Sequence, residues 1–537
     1  MYTPQMLESI KRVEATRAER MGVTPRRMDA KEKEDLLKEF HPDYKDAGFE
    51  PLQIGPNKGE KVPVELAALL QANSRVEGLS LDLGRLEIDT DVLVIGGGGS
   101  GASAAIEANE TGAKVTLVTK LRLGDANTMM AEGGIQAADK ENDSPAIHYL
   151  DAMGGGHFVN KPELLHKLVT EGPGAVQWLN KLGVMFDKLP DGTMVTTHGG
   201  GTSRKRMHAA ADYSGAEIMR VLRDEVQNRD INIVDFTAAI ELLLDENGNA
   251  AGAVLRNMET GEYYIARAKT VVIATGGAGR LHYQGFPTSN HYGATADGLI
   301  LGYRAGVPLV YADTLQYHPT GVAFPNQIFG ALVTEKVRSM GAMLINKDGE
   351  AFMNPLETRD VSAASIIREC KQRMNGVETP EGYGIWLDTP MIDMIHGEGT
   401  LEKTLPAMLR MYMKYGMDMR EKPILIYPTL HYQNGGLQVN VDTETPIKNL
   451  FVAGEAIGGI HGRNRLMGNS LLDIIVFGRT AGRNAGNRSK DVTTGALSLA
   501  HVDSYKAERE KAGIVSDMVS PLLLPTYTHG REKRQAE

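Results

Sequence analysis

Apolar residues form two short continuous runs, at 91–95 in DVLVI and at 114–118 in KVTLV. Between them lie four glycines and a stretch of small residues that ends at Gly112. Short apolar runs predict buried strands, and the small-residue stretch predicts a helix. The order strand, glycine turn, helix and strand predicts the start of a Rossmann-like α/β domain.

Other patterns predict the remaining elements. Short apolar runs between 230 and 274 are interrupted by DENGN and METGE, which predicts a meander of antiparallel strands. Helical patterns recur near 162–181, 214–229 and 361–373. Residues 1–87 form a separate extension, in which DAKEKEDLLKEF predicts an amphipathic helix and GPNKGEKVP a turn-rich link. Such an extension is either an arm packed on the surface or a docking arm for another subunit.

Composition excludes several classes of protein. A chain of 537 residues is long enough for two or three domains. A net charge of −10 without a long Lys/Arg run argues against nucleic acid as a partner. No apolar stretch approaches the ~20 residues of a membrane span, and the first 20 residues lack the apolar core of a secretory signal. We therefore expect a cytoplasmic protein, with membrane association through partner subunits left open.

Cys370 is the single cysteine of the sequence. A disulfide needs two cysteines, and an iron–sulfur cluster is usually ligated by four. The chain therefore cannot hold such a cluster by itself.

The glycines after the first apolar run predict a dinucleotide site. Gly96, Gly98 and Gly101 fit the spacing G-x-G-x-x-G, which provides a tight turn, a close approach to a pyrophosphate and a helix N-terminus facing it. Thr119 occupies the position where a ribose-binding acid is expected. A second glycine pair, Gly276 and Gly277, ends another apolar run. Repeated junctions of this kind favour a long cofactor such as FAD over a mononucleotide.

Polar residues in five later segments could bind carboxylates. Each has a structural alternative, since a lone histidine is usually structural and an Arg–Asp neighbour pair is usually a surface ion pair. Together they predict a cationic pocket, because the planar guanidinium suits bidentate capture of a carboxylate. These residues are His318, Thr320, Thr334, Glu335, Arg338, Arg359, His431 and Arg465.

The chain resembles the flavoprotein subunits of fumarate reductase and succinate dehydrogenase, a superfamily that includes L-aspartate oxidase. The resemblance covers roughly 90–485. Its motifs are GGGGSGASAA, AEGGIQAA, HAAADYSG, ATGGAG, QYHPTG, TE with Arg338, TRD, LHY with the following GG, AGE and NRLMGNSLL.

The resemblance implies an FAD-binding domain in two pieces, 88–319 and 426–484, with an inserted α+β capping domain at 320–425. Residues 485–537 would be a short carboxy-terminal tail. The residues implied for FAD are Gly96, Gly98, Ser100, Gly101, Thr119, Asn127, Thr128, Gly133, Gly134, Asp212, Thr275, Asp297, Glu455, Ser470 and Leu471. Gly133 and Gly134 would press their backbone against the flavin ring.

The resemblance also implies the chemistry. His318, Thr334, His431 and Arg465 would hold a small dicarboxylate, while Arg359 would exchange a proton with its carbon. Glu335 and Arg338 would relay that proton. Clamped carboxylates orient the substrate for hydride transfer from the flavin.

Two departures from the family pattern matter. Asn127 stands where membrane-bound members carry the histidine that bonds covalently to flavin, so we expect non-covalent FAD. Gln433 and Asn434 replace a threonine and a small or sulfur-containing residue, which could reshape the substrate pocket.

The favoured function is the catalytic subunit of a fumarate reductase supplied with electrons by an iron–sulfur partner. The alternatives are L-aspartate oxidase, against which Gly321 argues slightly, and a non-catalytic FAD electron-transfer subunit.

Overall fold

The computed structural model describes residues 2–525, and its largest sheet has eight strands. The predicted strand–helix–strand unit is confirmed as Ile88–Ile95, Gly99–Glu110 and Val115–Val118. Along the sheet the strands are Leu497–Ser498, Thr237–Asp245, Ala250–Asn257, Tyr263–Ile273, Ile88–Ile95, Val115–Val118 and Ile231–Val234, with Leu450–Val452 also pairing with Tyr263–Ile273.

The predicted antiparallel meander is confirmed for three strands and wrong for one. Thr237–Asp245, Ala250–Asn257 and Tyr263–Ile273 pair antiparallel. Ile231–Val234 instead pairs parallel with Val115–Val118, because the helix Ser214–Gln227 returns the chain to the same end of the sheet before this strand begins.

Helices cover this sheet. The predicted helices near 162–181 and 214–229 are confirmed as Pro162–Leu182 and Ser214–Gln227. The small-residue face of Gly99–Glu110 packs closely against Asn469–Arg488. The other helices on or beside this core are Val64–Leu70, Pro145–Gly155, Asp297–Arg304 and Ala500–Lys511. Three short strand pairs flank it, Phe49–Pro51 with Lys61–Pro63, Leu309–Val310 with Gly436–Leu437, and Asn73–Ser74 with Val519–Ser520. A three-stranded sheet also flanks it, in the order Ile135–Gln136, Met207–His208 and Thr196–Thr197.

A second core lies around an antiparallel sheet of five strands, in the order Leu315–Phe324, Ile424–Gln433, Gly382–Leu387 and Leu344–Ile345, with Val377–Thr379 on Gly382–Leu387. We call this unit the cap. Its two longest strands run through the predicted boundaries near 320 and 425. Its helices are Lys336–Ser339, Arg359–Lys371, Met391–His396, Thr400–Thr404 and Pro406–Met413, and the predicted helix near 361–373 is confirmed as Arg359–Lys371.

The amino-terminal extension belongs to both cores. Its helix Pro4–Arg20 buries Met6, Ile10 and Val13 in the apolar core of the cap. The predicted helix in DAKEKEDLLKEF is confirmed as Ala30–Phe40. Leu52, Leu66 and other residues of 49–70 are buried in the core of the large sheet. The extension is therefore part of the folded body, and its role in partner docking stays a prediction.

The carboxy-terminal segment also returns to the large sheet. Leu497–Ser498 pairs with Thr237–Asp245, and Val519–Ser520 pairs with Asn73–Ser74. The last part of the predicted tail, 526–537, lies outside the described residues. Within 2–525, none of the helices combines the length and the apolar character that crossing a membrane requires.

Candidate active site

The turn after Ile88–Ile95 is built for close backbone approach. Gly96 has φ = +122°, a conformation that side chains disfavour. A Cβ at Gly101 would collide with the carbonyl oxygen of Gly96, so the helix Gly99–Glu110 can sit tightly on the turn only with glycine there. Gly98, Gly99 and Ser100 at the start of this helix line the cavity described next, so the helix N-terminus lies where a pyrophosphate can bind.

A cavity opens beside this turn, and its empty volume is about 1260 Å³ when its opening to solvent is included. Most of the sequence-predicted FAD residues line it, namely Gly96, Gly98, Ser100, Thr119, Asn127, Thr128, Thr275, Asp297, Glu455, Ser470 and Leu471. The glycine turn and the helix N-terminus beside the cavity fit the pyrophosphate of FAD.

Four predicted FAD residues do not line this cavity. The backbone of Gly101 supports the turn, as described above. Gly134 has φ = +109°, and a Cβ there would strike the carbonyl oxygen of His208, while a Cβ at Gly133 would lie 2.6 Å from Cε of Met467. A backbone neighbour therefore already requires glycine at position 134, whereas the movable end of Met467 beside Gly133 can shift.

Asp212 has a different partner from the one expected. Its carboxylate accepts hydrogen bonds from the backbone N–H groups of Ala407 and Met408, at 3.0 and 2.9 Å. These amides lie in the first turn of Pro406–Met413, so Asp212 stabilises a helix start of the cap. It joins the two cores instead of lining the cavity.

Asn127 lies at the cavity wall in a network that the sequence did not indicate. Its Nδ2 donates to Oδ1 of Asn290 at 2.6 Å, and its Oδ1 accepts from the backbone N–H of His291 at 2.6 Å. Its Nδ2 also lies 3.4 Å from Oε2 of Glu455, whose pKa burial raises to about 7. An asparagine side chain thus fixes the loop around 290 against the cavity.

Lys120 is a cavity residue that the sequence reasoning missed. Its Nζ donates to Oδ2 of Asp297 and to Oγ1 of Thr295, both at 2.6 Å. A signal was present, because Lys120 follows directly after the strand Val115–Val118 and after Thr119. Residues at carboxyl ends of parallel strands commonly form ligand sites.

The three predicted catalytic residues lie together in the cap. Nε of Arg359 donates to Oε2 of Glu335 at 2.7 Å, and Nη2 of Arg338 lies 3.4 Å from the same oxygen. The backbone N–H of Gly200 donates to Oε1 of Glu335 at 2.7 Å. All three ionic side chains are buried. Burial alone would raise the pKa of the Glu335 carboxyl, but Arg359 and Arg338 hold it below its ordinary value.

Gln316 links two of the predicted arginines, although the sequence reasoning did not select it. Its Oε1 accepts from Nη1 of Arg359 at 3.0 Å and from Nη2 of Arg465 at 2.9 Å. Its Nε2 donates to the carbonyl oxygen of Arg465 at 2.7 Å. The signal was its position two residues before His318, on the same face of the strand Leu315–Phe324.

Arg465 has one free donor in this arrangement. Its Nε is buried and has no hydrogen-bond partner among the described residues, while its guanidinium stacks on the ring of Tyr432 at 4.6 Å. Burial, followed by the nearby Arg359 cation, lowers the pKa of Arg465 to about 9. The group is therefore still a cation at neutral pH.

His318 and His431 complete the cluster. Their rings are 5.0 Å apart and steeply inclined to each other, and Nδ1 of His431 lies 2.8 Å from Oγ of Ser289. Burial and then the Arg359 cation lower both imidazole pKa values well below the ordinary range, so both rings are neutral at pH 7. His431 also lines the large cavity, which makes the cluster and the cavity one continuous site.

The remaining predicted substrate residue, Thr334, is buried directly before Glu335, and its Oγ1 accepts from the backbone N–H of Lys336 at 3.3 Å. Its hydroxyl proton is free for a further acceptor. Thr320, in contrast, donates to the carbonyl oxygen of Val333 at 2.7 Å and holds the strand geometry near His318.

Gln433 and Asn434, the second departure from the family pattern, are buried at the end of Ile424–Gln433. Neither amide atom of Gln433 has a hydrogen-bond partner among the described residues, although its backbone N–H donates to Oε1 of Glu455 at 3.0 Å. Nδ2 of Asn434 donates to the carbonyl oxygen of Arg463 at 3.0 Å. Gln433 thus leaves a buried donor and acceptor beside the cavity residue Glu455.

Three guanidinium groups, one carboxylate and two neutral imidazoles thus converge beside the cavity that the predicted FAD residues line. The excess of positive charge suits a dianion. The contact of Arg359 with Glu335 joins a potential proton donor to a group that can return the proton. This arrangement can bind a small dicarboxylate and move a proton at one of its carbons.

Comparison with known proteins identifies an FAD-binding family. The family model described as an FAD binding domain matches residues 91–471. A subunit of the CoM/CoB fumarate reductase of Methanothermobacter marburgensis is 38% identical over 442 residues, which cover 80% of this chain and 77% of that protein. L-aspartate oxidase of Streptomyces coelicolor is 34% identical over 424 residues, which cover 76% of this chain and 70% of the oxidase.

The fold has a similar counterpart among solved structures. The E. coli quinol fumarate reductase subunit FrdA superimposes with a TM-score of 0.72 and 31% sequence identity. The match covers 80% of this chain and 74% of that protein.

Proposed function

Because the chain belongs to the FAD-binding family of the fumarate reductase and succinate dehydrogenase flavoproteins, we propose that it is the catalytic subunit of a fumarate reductase. FAD is its cofactor, and the chain is an FAD-dependent oxidoreductase by family. The observation that carries the proposal is the 2.7 Å contact between Arg359 and Glu335 inside the cationic cluster. A subunit that only carried electrons would need no such pair.

The side chains of the site would bind the two carboxylates of the substrate and supply a proton to its double bond. The chemistry that FAD supplies when bound is hydride transfer. His318, His431 and Arg465 would hold the carboxylates, and Thr334 would donate a further hydrogen bond. Clamping both ends orients the reacting carbons and stabilises negative charge that develops on a carboxylate.

Arg359 would give a proton to the second carbon, so that hydride plus proton convert fumarate to succinate. Arginine is a poor acid in water. Here Glu335 lies 2.7 Å from Arg359 and would return to the guanidinium a proton that it receives from Arg338, which would recover its own proton from solvent. The burial of all three side chains keeps bulk water out of this relay.

L-aspartate oxidase is the second candidate, and the oxidase from Streptomyces coelicolor is the observation that favours it. Gly321 does not separate the two. A Cβ at this position would lie 2.6 Å from Cβ of Thr429 in the neighbouring strand, so packing alone demands glycine.

The test uses the purified, FAD-loaded chain. Reduced viologen with fumarate and with other unsaturated dicarboxylates should show turnover with fumarate. L-aspartate oxidation with fumarate as acceptor should be slow, and preferential turnover of L-aspartate would establish the second candidate instead.

Substitution of the proton donor gives the sharper test. Arg359→Lys keeps a cation but not the planar fork, so turnover should fall by about 10² to 10⁴ with a smaller change in KM. The control Arg368→Lys lies on the same helix away from Glu335 and should retain normal turnover. Near-normal fumarate turnover by Arg359→Lys would remove the assigned donor.

A further inference from the structure

The helix that begins at Arg359 starts without a side-chain cap. The side chain of its N-cap residue Thr358 accepts no hydrogen bond from a backbone N–H of the first turn. In the sequence, Arg359 lies between two acidic residues, Glu357 and Asp360. The position of the guanidinium therefore depends on what holds these carboxylates.

The amino-terminal extension holds Glu357. This carboxylate is 1% exposed, and its Oε1 accepts from the backbone N–H of Met28 at 2.8 Å. Nζ of Lys33 lies 2.8 Å from its Oε2 and forms an ion pair with it. Both partners come from residues that precede the family match at 91–471.

The same extension packs along the first turns of the catalytic helix. Leu36 and Leu37, on the helix Ala30–Phe40, form a small apolar cluster with Val361 and Ala364. Leu36 and Leu37 are each at most 4% exposed, as are Val361 and Ala364. An ion pair and an apolar contact thus bind one side of the helix start.

The extension is itself fixed at both ends. Upstream, Arg17 and Arg20 both pair with the fully buried carboxylate of Asp388 in the cap, at 2.8 and 2.9 Å. Downstream, Asn57 exchanges two hydrogen bonds with the backbone of Leu309 beside the large sheet, at 2.7 and 2.9 Å. Because the extension is attached to both cores, it can hold the Glu357 side chain in one position.

We propose that Lys33 is a positioning residue for Arg359, acting through Glu357. The inference rests on the proposed function, since it gives the extension a part in proton delivery. Displacing a reacting group by about 1 Å can cost 10²-fold in rate, so a loosened helix start should lower turnover without removing any substrate contact.

The experiment compares three variants of the full FAD-loaded chain. Lys33→Met removes the cation, Lys33→Arg restores it, and Lys31→Met changes an exposed lysine of the same helix as a control. Lys33→Met should lower kcat for viologen-driven fumarate reduction by about 10- to 100-fold, with KM changed less than about twofold. Lys33→Arg should recover most of the rate, and Lys31→Met should retain it.

A second pair of measurements shows whether Lys33 acts through Glu357. Glu357→Gln keeps the acceptor for Met28 and removes the ion pair, so its kcat should fall like that of Lys33→Met. The double variant with Lys33→Met and Glu357→Gln should be no slower than either single variant, because each substitution breaks the same ion pair. Independent, multiplying effects would contradict the proposal, and Glu357→Gln also replaces Lys33→Met if the latter fails to fold.

Hydrogen exchange of the holoprotein supplies a readout that does not need turnover. Lys33→Met should speed exchange of the amides at 361–364 and leave that at 367–371 unchanged. Unchanged kcat together with unchanged exchange in Lys33→Met would overturn the proposal. The proposal would also be overturned if the control Lys31→Met lost as much kcat and thermal stability as Lys33→Met.

These results separate two kinds of failure. The proposed function is refuted if the wild-type protein reduces no dicarboxylate or if Arg359→Lys has normal turnover. The positioning role of Lys33 is then refuted as well. A slow Arg359→Lys beside a fast Lys33→Met refutes the positioning role alone.

Discussion

Nε2 of His157 lies 2.6 Å from Oδ2 of Asp360, the residue that follows Arg359. His157 comes just after the helix Pro145–Gly155 beside the large sheet, whereas Asp360 belongs to the cap. The contact therefore joins the two cores next to the proposed proton donor.

This contact predicts a pH-dependent stability. The hydrogen bond to Asp360 raises the pKa of His157, and although burial opposes ionisation of Asp360, His157 helps to lower its pKa to about 2. A raised histidine pKa stabilises the fold below the ordinary value, and this contribution is lost as pH rises through the raised value. The carboxylate contributes above its ordinary pKa near 4, and that contribution is lost as pH falls towards 2.

Thermal unfolding of His157→Gln between pH 5 and pH 9 checks this prediction. The buried His41 and the Arg463 cation also face this pair, and both remain in the variant. The wild type should be more stable than the variant near pH 5.5, and the difference should shrink as pH rises. His166→Gln, at an exposed histidine of Pro162–Leu182, should show no such trend. A difference independent of pH would contradict the assigned protonation.

The parts of the fold that the sequence predicted were local. The run at 91–95, the glycines after it and the run at 114–118 define strand, turn and helix through neighbours in the chain. The order of the motifs also predicted that residues such as Glu335 and Arg359 belong to one site, because the family resemblance supplied their association.

The remaining features depend on contacts between distant segments. Gln316 joins Arg359 to Arg465 across 43 and 149 positions of sequence, and Lys33 meets Glu357 far along the chain. Gly133 and Gly134 are predicted to contact the flavin, and the structure adds the protein neighbours Met467 and His208, which the sequence did not indicate. No local pattern contains such partners.

The two glycines give a matched test of the predicted flavin contact. Gly134→Ala places a side chain at φ = +109° against a backbone carbonyl, and the backbone conformation alone should cost about 1–3 kcal/mol. Gly133→Ala meets only the movable end of Met467 and should cost less than about 1 kcal/mol. Urea unfolding measures the free energies of unfolding, and FAD content measured in parallel tests flavin contact. Loss of FAD by a stable Gly133→Ala protein would support the flavin contact, and full FAD content would contradict it.

Asn127 predicts that FAD is bound without a covalent bond. An amide cannot replace the imidazole that bonds to flavin in membrane-bound relatives, and here both of its polar atoms already contact Asn290 and His291. Acid or heat denaturation should release all of the FAD into the supernatant. Flavin fluorescence that stays with the denatured polypeptide on a gel would contradict this.

The single cysteine predicts a separate electron donor. Cys370 is fully buried, and burial raises its pKa to about 12, so it is neither a cluster ligand nor a reactive thiol at neutral pH. We expect the isolated chain to reduce fumarate with reduced viologen but not efficiently with NADH. Adding a candidate iron–sulfur subunit should restore turnover with the physiological donor. Efficient NADH-driven reduction by the chain alone would remove the need for such a partner.

Arg465 should control affinity for the substrate, because its buried Nε is a free donor beside Gln316 and the histidine pair. A hydrogen bond to a charged group is worth about 1.5–3 kcal/mol, which corresponds to a rise in KM of roughly 10- to 150-fold in Arg465→Ala. The fall in kcat should be smaller than in Arg359→Lys, since Arg359 keeps its contacts with Glu335 and Gln316. Arg463→Ala, which removes a partly exposed ion pair with Asp313 in the same loop, is the matched control and should leave KM nearly unchanged. If Arg465→Ala instead lowered kcat as strongly as Arg359→Lys with an unchanged KM, Arg465 would belong to the proton-transfer step and not to the carboxylate clamp.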